Sequence, residues 1–456
     1  MKTKIALCSM LLCCTLFFSC RKLETDVILH NANVASSIQT NAPNIIVILA
    51  DDFGYELPTY TGGQSYQTPN LDALAASGMQ FTQCRALPLC SPSRFQLMTG
   101  KYNFRNYTTW GILDPTEMTF AKLLRDNGYE TCISGKWQLD GGDNSIQSLG
   151  FNSYSVAMPF IAGSEQATSP IENYKNPTIY ERSTFSTEAQ TKDKYGEDIF
   201  RNYMLRFIKK NKNNKFLVYW TPNLVHKPFC PTPDDAAFTT WNNKNKQKPG
   251  DTIYFPSMVK YLDKEIGILR DSLASLNLLN NTLILFVGDN GTHPDITSMY
   301  NGQPFRGGKS FTVEAGIHVP MIASMPGTIA AGISDSSLID FTDFFVSLAD
   351  FTGISTAGID SLDGVSFAPQ LKGLQATPRQ FSYGWYNGNT KKSTENPLLR
   401  YVNNSTYKLY KSEAGVYSFY NFQKDPLEQN PILLENLTPE ETTIRESMLT
   451  MINRYQ

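Results

Sequence analysis

Histidine is scarce in this chain, with four residues in 456. His30 falls in a polar stretch near the start, so His226, His293 and His318 are the remaining imidazole bases. That argues against a two-metal centre rich in histidine ligands. Neither sign of charge dominates: 40 basic residues face 42 acids, for a formal net charge of −2. Nothing points to nucleic acid, and an anionic substrate would need positive charge gathered locally in a pocket. Of eight cysteines, Cys8, Cys13, Cys14 and Cys20 lie in the first 20 residues. The others, Cys84, Cys90, Cys132 and Cys230, show no zinc-type or redox CxxC spacing, so this is not a disulfide-dense scaffold. Internal repeats and low-complexity segments are also missing.

What is there suffices for a large core: 41% of the residues are hydrophobic, which suggests one big domain and a smaller one. Residues 1–20 read as an export signal. Lys2 and Lys4 precede an apolar stretch from Ile5 to Phe18, too short for a comfortable membrane span. Its end, Phe17-Phe18-Ser19-Cys20, resembles the bacterial lipobox, which would make Cys20 the lipidated first residue of an envelope lipoprotein, in the periplasm or at the cell surface. Residues 21–41 read as a polar tether, 42–375 as the main domain and 376–456 as a C-terminal subdomain.

Asn44 to Ala50 is a continuous apolar run closed by Asp51-Asp52, the look of a buried parallel strand delivering acids at its carboxyl end. Lys215 to Trp220, Thr282 to Val287 and His318 to Ala323 read as three more buried strands, and Glu130 to Ser134 as a short one. Helices are expected from Thr68 to Ser77, Thr119 to Asn127, Tyr254 to Leu276 and Leu338 to Leu348. Residues 140–200 read as long polar loops. Strands alternating with helices imply an α/β fold, a large mixed, mostly parallel sheet sandwiched by helices. Phe381 to Tyr386, Leu399 to Tyr410 and Val416 to Phe422 imply a smaller α+β subdomain with an antiparallel sheet.

The most informative stretch is Cys90-Ser91-Pro92-Ser93-Arg94, followed by Leu97-Met98-Thr99-Gly100. It puts a modifiable nucleophile at a helix start with Arg94 one turn on, facing the same pocket. Free N–H groups of a first turn favour an anion such as sulfate or phosphate. Asp51, Asp52, Asp289 and Asn290 come from two strand ends. Three carboxylates and an amide oxygen suit one hard divalent cation, Ca²⁺ or Mg²⁺, rather than zinc.

The Cys90 run closely resembles the signature of the type I sulfatases of the alkaline-phosphatase superfamily. The resemblance covers 42–375, and the stretch from Lys408 to Glu428 resembles the usual end of the C-terminal subdomain. It implies an alkaline-phosphatase-like fold, hydrolysis of sulfate esters, and oxidation of Cys90 to formylglycine by a maturase. The formylglycine hydrate would then join Asp51, Asp52, Asp289 and Asn290 around the ion. One of its hydroxyls attacks sulfur, and loss of the second proton expels sulfate. By the same resemblance Arg94 orients the nucleophile, Lys136 and Lys309 bind sulfate, and His226 protonates the leaving alcohol.

There are two departures from the family pattern. Gln138 stands where a histidine is usual, and a glutamine can hydrogen-bond but cannot take a proton. His318 stands where an arginine is common. With Gln138, both histidines His293 and His318 are candidates for contact with substrate, and His293, three residues beyond Asn290, is expected to restore a base near the nucleophile. Two alternatives remain: a phosphomonoesterase or phosphodiesterase of the same superfamily, and an impaired lipoprotein that binds sulfated glycans. The aromatic residues Tyr102, Tyr107, Trp110, Trp385 and Tyr386 suit a sulfated carbohydrate, since sugars pack on aromatic faces.

Overall fold

The apolar runs become the middle of one ten-stranded sheet. A computed structural model of the chain describes residues 42–108, 111–139, 142–157, 174–241, 251–387 and 398–455. The expected signal and tether, with Cys20 and His30, lie outside them. Among the described residues no helix is long and apolar enough to cross a membrane.

The strands are β1 (Asn44–Ala50), β2 (Met79–Arg85), β3 (Glu130–Lys136), β4 (Ser153–Ala157), β5 (Tyr180–Glu181), β6 (Thr184–Phe185), β7 (Phe216–Thr221), β8 (Thr282–Gly288), β9 (Thr297–Tyr300), β10 (Gln303–Arg306), β11 (His318–Ser324) and β12 (Ile333–Asp340). Ten of them form the sheet, in the order β12-β2-β11-β8-β1-β7-β3-β4-β5-β6, while β9 and β10 pair as a separate hairpin. The segment from β8 through β1, β7 and β3 to β4 is parallel. Every residue of β1, β7 and β8 is buried, as expected of strands covered on both faces.

The principal helices are α1 (Pro69–Ala76), α2 (Cys90–Thr99), α3 (Phe120–Asp126), α4 (Gly142–Ser148), α5 (Gly196–Lys210), α6 (Phe255–Ser275), α7 (Asp343–Thr352) and α8 (Pro439–Arg454). One sheet face, with Ile46, Trp220 and Phe286, packs on Leu71 of α1, Met204 of α5 and Leu262 of α6. On α6, Asp263 accepts hydrogen bonds from the backbone N–H groups of Asn70 and Leu71, so a distant carboxylate caps α1.

Antiparallel strands make the sheet mixed, as expected. The strand from His318 to Ala323 is antiparallel to both neighbours, β8 and β2. Between β8 and β11 lie only the β9–β10 hairpin and a one-turn helix, Glu314–Ile317, so no long helix returns the chain to the far end and it re-enters from the near one. Two local expectations need correction. The expected helix from Leu338 begins as strand β12. At Asp340 the side chain accepts from the N–H and hydroxyl of Thr342, a turn that separates the strand from α7. The stretch 140–200 also carries α4, β4, the β5–β6 hairpin and the start of α5.

Past Leu374 comes a four-stranded antiparallel sheet of β13 (Ser382–Tyr386), β14 (Leu399–Asn403), β15 (Tyr407–Lys411) and β16 (Tyr417–Asn421), covered by α8 through Met448 and Ile452. The residues from Pro43 onward form one compact unit, so this sheet is a layer of the same body.

Candidate active site

The carboxyl ends of the parallel strands bring the acids together. Asp51 and Asp52 follow β1, and Asp289 and Asn290 follow β8; all four are fully buried. Close packing of the two strand ends needs glycine at 288, where a Cβ would lie 2.0 Å from the carbonyl oxygen of Phe53. Asp52 holds a left-handed backbone, φ 55°, and its N–H donates to Asp289 Oδ1.

Cys90 opens α2 and is buried. The residue before it makes no side-chain cap, so the first-turn N–H groups are not taken by one. Ser93 Oγ bridges the N–H and carbonyl of Leu87 and fixes the approach to the helix. Sγ of Cys90 lies within 4.8 Å of carboxylate oxygens of Asp51 and Asp289, and Nε2 of Gln138 donates to it across 3.0 Å.

Each acid has its own cation. Lys136, at the end of β3, donates to Asp51 across 2.5 Å, Lys309 to Asp52 across 2.7 Å, and Arg94 to Asp289 across 3.0 Å. Arg94 also donates to the carbonyl of Lys136, which accepts a second bond from Thr221. Burial alone would raise Asp51, but Lys136, then His226, Arg94 and Lys309, hold its carboxyl well below the usual range. Burial likewise opposes Asp52, which Lys309 brings below its ordinary value. Asp289 goes the other way: burial and then Asp51 push it up to about 7, against Arg94.

This donor set fits a hard divalent cation. The buried Oδ1 atoms of Asp51 and Asn290 have no hydrogen-bond partner. The Asn290 amide donates from Nδ2 to Asp52 and to the carbonyl of Gly291, which leaves its oxygen free to act as a ligand.

His226 faces the same cluster, its Nε2 4.0 Å from Asp52 Oδ2. Its Nδ1 meets the carbonyl of Lys227, so Nδ1 carries the proton in the neutral ring and Nε2 looks into the pocket. Burial, with Lys309 adding, lowers His226 to about 4. Two residues absent from the sequence reading hold this loop. Tyr174 donates to the carbonyls of Asn223 and His226, and Glu197 accepts from the N–H and Nδ2 of Asn223. Nothing local in the sequence signals either contact.

His293 sits at the edge of this group. Its Nδ1 accepts from the N–H of Asp295, its Nε2 lies 3.5 Å from Lys227 Nζ, and it packs edge-on against Phe229. The contact to Cys90 is made by Gln138. His318 does not join the cluster: it stacks on Tyr55 at 3.8 Å and is held by Glu314 and the carbonyl of Thr82. Tyr102, Tyr107 and Tyr386 are buried, so they are core rather than sugar platforms. Trp385 packs on the C-terminal core, and Trp110 lies outside the described residues.

Comparison with known proteins gives the same picture. The Sulfatase family profile matches residues 43–354, and the profile "N-sulphoglucosamine sulphohydrolase, C-terminal" matches 307–455. The chain is 30% identical over 391 residues to the N-acetylgalactosamine-6-sulfatase of Canis lupus familiaris, covering 80% of this chain and 72% of that one. It is 29% identical to the N-acetylgalactosamine-6-O-sulfatase of Bacteroides thetaiotaomicron, over 67% of this chain and 72% of that one. Among solved structures, a sulfatase from Pseudoalteromonas sp. shares the fold with a TM-score of 0.69 at 22% identity, over 95% of each chain. A protein solved with its substrate D-glucosamine-2-N,6-O-disulfate superposes with a TM-score of 0.72 at 21% identity, over 91% of this chain and 98% of that one. The fold is therefore alkaline-phosphatase-like, and with the Sulfatase profile spanning most of its length the chain belongs to the sulfatase family, a sulfuric ester hydrolase.

Proposed function

We propose that this protein is an exported lipoprotein that hydrolyses sulfate esters of carbohydrates, using formylglycine made from Cys90 and one Ca²⁺ or Mg²⁺ ion. The observation that carries this reading is the buried set of three acids, each paired with its own cation, around Cys90 at a helix start. Those pairs cancel. A monoanionic ester, an ionised nucleophile and a divalent cation then leave the pocket neutral, which limits the cost of buried charge. Asp51, Asp52, Asp289 and Asn290 would hold the ion, together with an oxygen at position 90. A bound divalent cation would polarise a sulfate oxygen and favour ionisation of the nucleophile. Formylglycine would supply, as its hydrate, an attacking hydroxyl in place of the thiol.

The chain's own groups do the rest. Lys136 and Lys309 offset the charge of the sulfate, and Arg94 fixes Asp289 and the Lys136 backbone. His226 Nε2 gives a proton to the leaving oxygen; the negative charge of the bound ester offsets Lys309 and lets the ring carry that proton. Gln138 orients the nucleophile as a donor, and His293 with Lys227 lines the leaving-group side.

Carbohydrate is favoured over small aryl sulfates because relatives 30% identical are named N-acetylgalactosamine-6-sulfatase, ahead of arylsulfatase A at 29%. Export and the anchor rest on residues 1–20. Acylation lost in Cys20→Ser would support the anchor.

The deciding experiment takes protein from its native cell and measures the mass of the tryptic peptide Ala86–Arg94. Loss of H₂S with gain of one oxygen, together with sulfate release from N-acetylgalactosamine 6-sulfate, is the expected result. An intact thiol in native material would overturn the formylglycine reading, and cleavage of phosphate esters alone would favour the phosphatase.

A further inference from the structure

Two adjoining surface clefts, of about 470 and 610 Å³, open at the β6 edge of the large sheet. Arg182 and Arg206 line both, Lys210 lines the first and Lys194 the second. Several bases elsewhere carry partners, as in Arg105–Asp363, Lys264–Asp234 and Lys372–Asp350. Within the clefts, Arg206, Lys194 and Lys210 make no ion pair among the described residues. Arg182 is 88% exposed and comes no nearer than 3.8 Å to Glu181. The C-terminal end of the α5 dipole accounts for Lys209 and Lys210. It does not account for Arg182, Lys194 or Arg206.

Arg182 is presented deliberately by the fold. It and Ser183 form the two-residue turn of the β5–β6 hairpin, with φ of 52° and 63°, where residues other than glycine are disfavoured. The N–H of Ser183 donates to Tyr154 Oη, which pins the turn. Aromatic surface lies between the charges. The half-buried Tyr203 lines the first cleft and Phe185 the second, and the Arg206 guanidinium lies 5.8 Å over the Tyr203 ring. Exposed cations that outnumber the one acid of the clefts, Glu181, beside aromatic faces match a chain of sugars bearing sulfates. None of the large exposed apolar residues lies in either cleft, which disfavours insertion into a membrane.

The clefts are not part of the Cys90 pocket. Asn152 and Ser153 of the first cleft sit at the amino end of β4, whereas the acids gather at the carboxyl ends of the strands. We propose that the clefts form a second, non-catalytic binding site for a sulfated polysaccharide, holding the polymer while its esters reach the Cys90 pocket. Tethering of that kind raises the local concentration of esters without any new contact at the reacting atoms. The presentation role rests on the carbohydrate-sulfatase reading; the binding does not.

The test uses the full chain with Cys90→Ala, so that nothing turns over, and fluorescent dextran sulfate as the probe, with uncharged dextran as control. Arg182→Ser with Arg206→Ser, and separately Lys194→Ser with Lys210→Ser, should weaken dextran sulfate binding tenfold or more and flatten its salt dependence. Thermal unfolding should be unchanged, since these side chains are exposed. Unaltered affinity in both pairs overturns the proposal. So does equal affinity for oligodeoxythymidylate of matching charge, which would reduce the site to unspecific attraction. With Cys90 intact and matured, the same variants should raise KM for a sulfated polymer and leave kcat/KM for a monosaccharide sulfate unchanged. An unchanged polymer KM overturns the presentation role. Absence of sulfate release from every carbohydrate would sink the carbohydrate-sulfatase reading and leave the binding result standing.

Discussion

Gln138 donates a hydrogen bond to Cys90 across 3.0 Å while its own Oε1 is buried without a partner. Its backbone is left-handed, φ 57°, a conformation that a non-glycine residue holds only where its surroundings impose it. Gln138→Leu keeps most of the volume and removes the donor. A hydrogen bond to an ionising group contributes about 1.5–3 kcal/mol, so turnover should fall roughly tenfold to hundredfold. The mass of Ala86–Arg94 should show unchanged formylglycine, which separates orientation from maturation. Equal turnover in the variant would mean that the bond is idle in catalysis.

Removal of the metal should loosen the site as well as silence it. Three buried carboxylates share the pocket, and the charge of Asp51 disfavours that of Asp289. Chelator-treated protein should regain stability on addition of Ca²⁺ or Mg²⁺, by about 2.7 kcal/mol at one hundred times Kd. Asn290→Ala takes away the amide oxygen and should shift the concentration required upward. The readout is Tm against cation concentration, which does not depend on knowing the substrate. A flat titration would remove the metal from the proposed mechanism.

The centre of the fold was legible because β1, β7 and β8 are covered on both faces, and full burial writes itself as an apolar run. β2 was not legible, since Gln80, Thr82 and Gln83 are only partly buried and break the pattern. The same limit hid α5, whose start lies in a polar stretch. For α8 a signal existed, the capping box of Thr438 and Glu441 with Pro439 at the first helical position, but it closes no apolar run. In the site, Asp51, Asp289 and Cys90 stand at strand and helix ends, where local pattern and chemistry coincide. Glu197 and Tyr174 act on His226 only through packing of distant segments, and no local pattern carries that.

Glu197 also sets a pH dependence of stability. Burial pushes it up to about 8 from 4.5, against the two bonds from Asn223. The folded protein therefore keeps this proton after the unfolded chain has released it, and stability falls as pH rises between those values. Glu56, raised by burial to about 7, acts in the same direction. Glu197→Gln keeps an acceptor for Asn223 and has no proton to lose. Its Tm should match the parent's in acid and exceed it above about pH 8. A parent and variant with parallel pH profiles would show that Glu197 is not the group responsible.

Lys408 ties the C-terminal sheet to the catalytic loop. It is completely buried on β15 and donates to Glu428 and to the carbonyl of Thr312, three residues beyond Lys309. Tyr410 donates to the same carbonyl and to Glu428. Lys408→Met should cost about 3–5 kcal/mol, because it strands a buried carboxylate. Adding Glu428→Leu removes that charge and should recover most of the loss, which thermal unfolding can measure as a double-mutant cycle. The Thr312 carbonyl would still lack its lysine, so the loop that carries Lys309 should stay looser. The double variant is therefore expected to regain Tm and yet keep a raised KM for sulfate ester. If KM recovers along with Tm, Lys408 stabilises the body without positioning Lys309, and the C-terminal sheet has no share in binding sulfate.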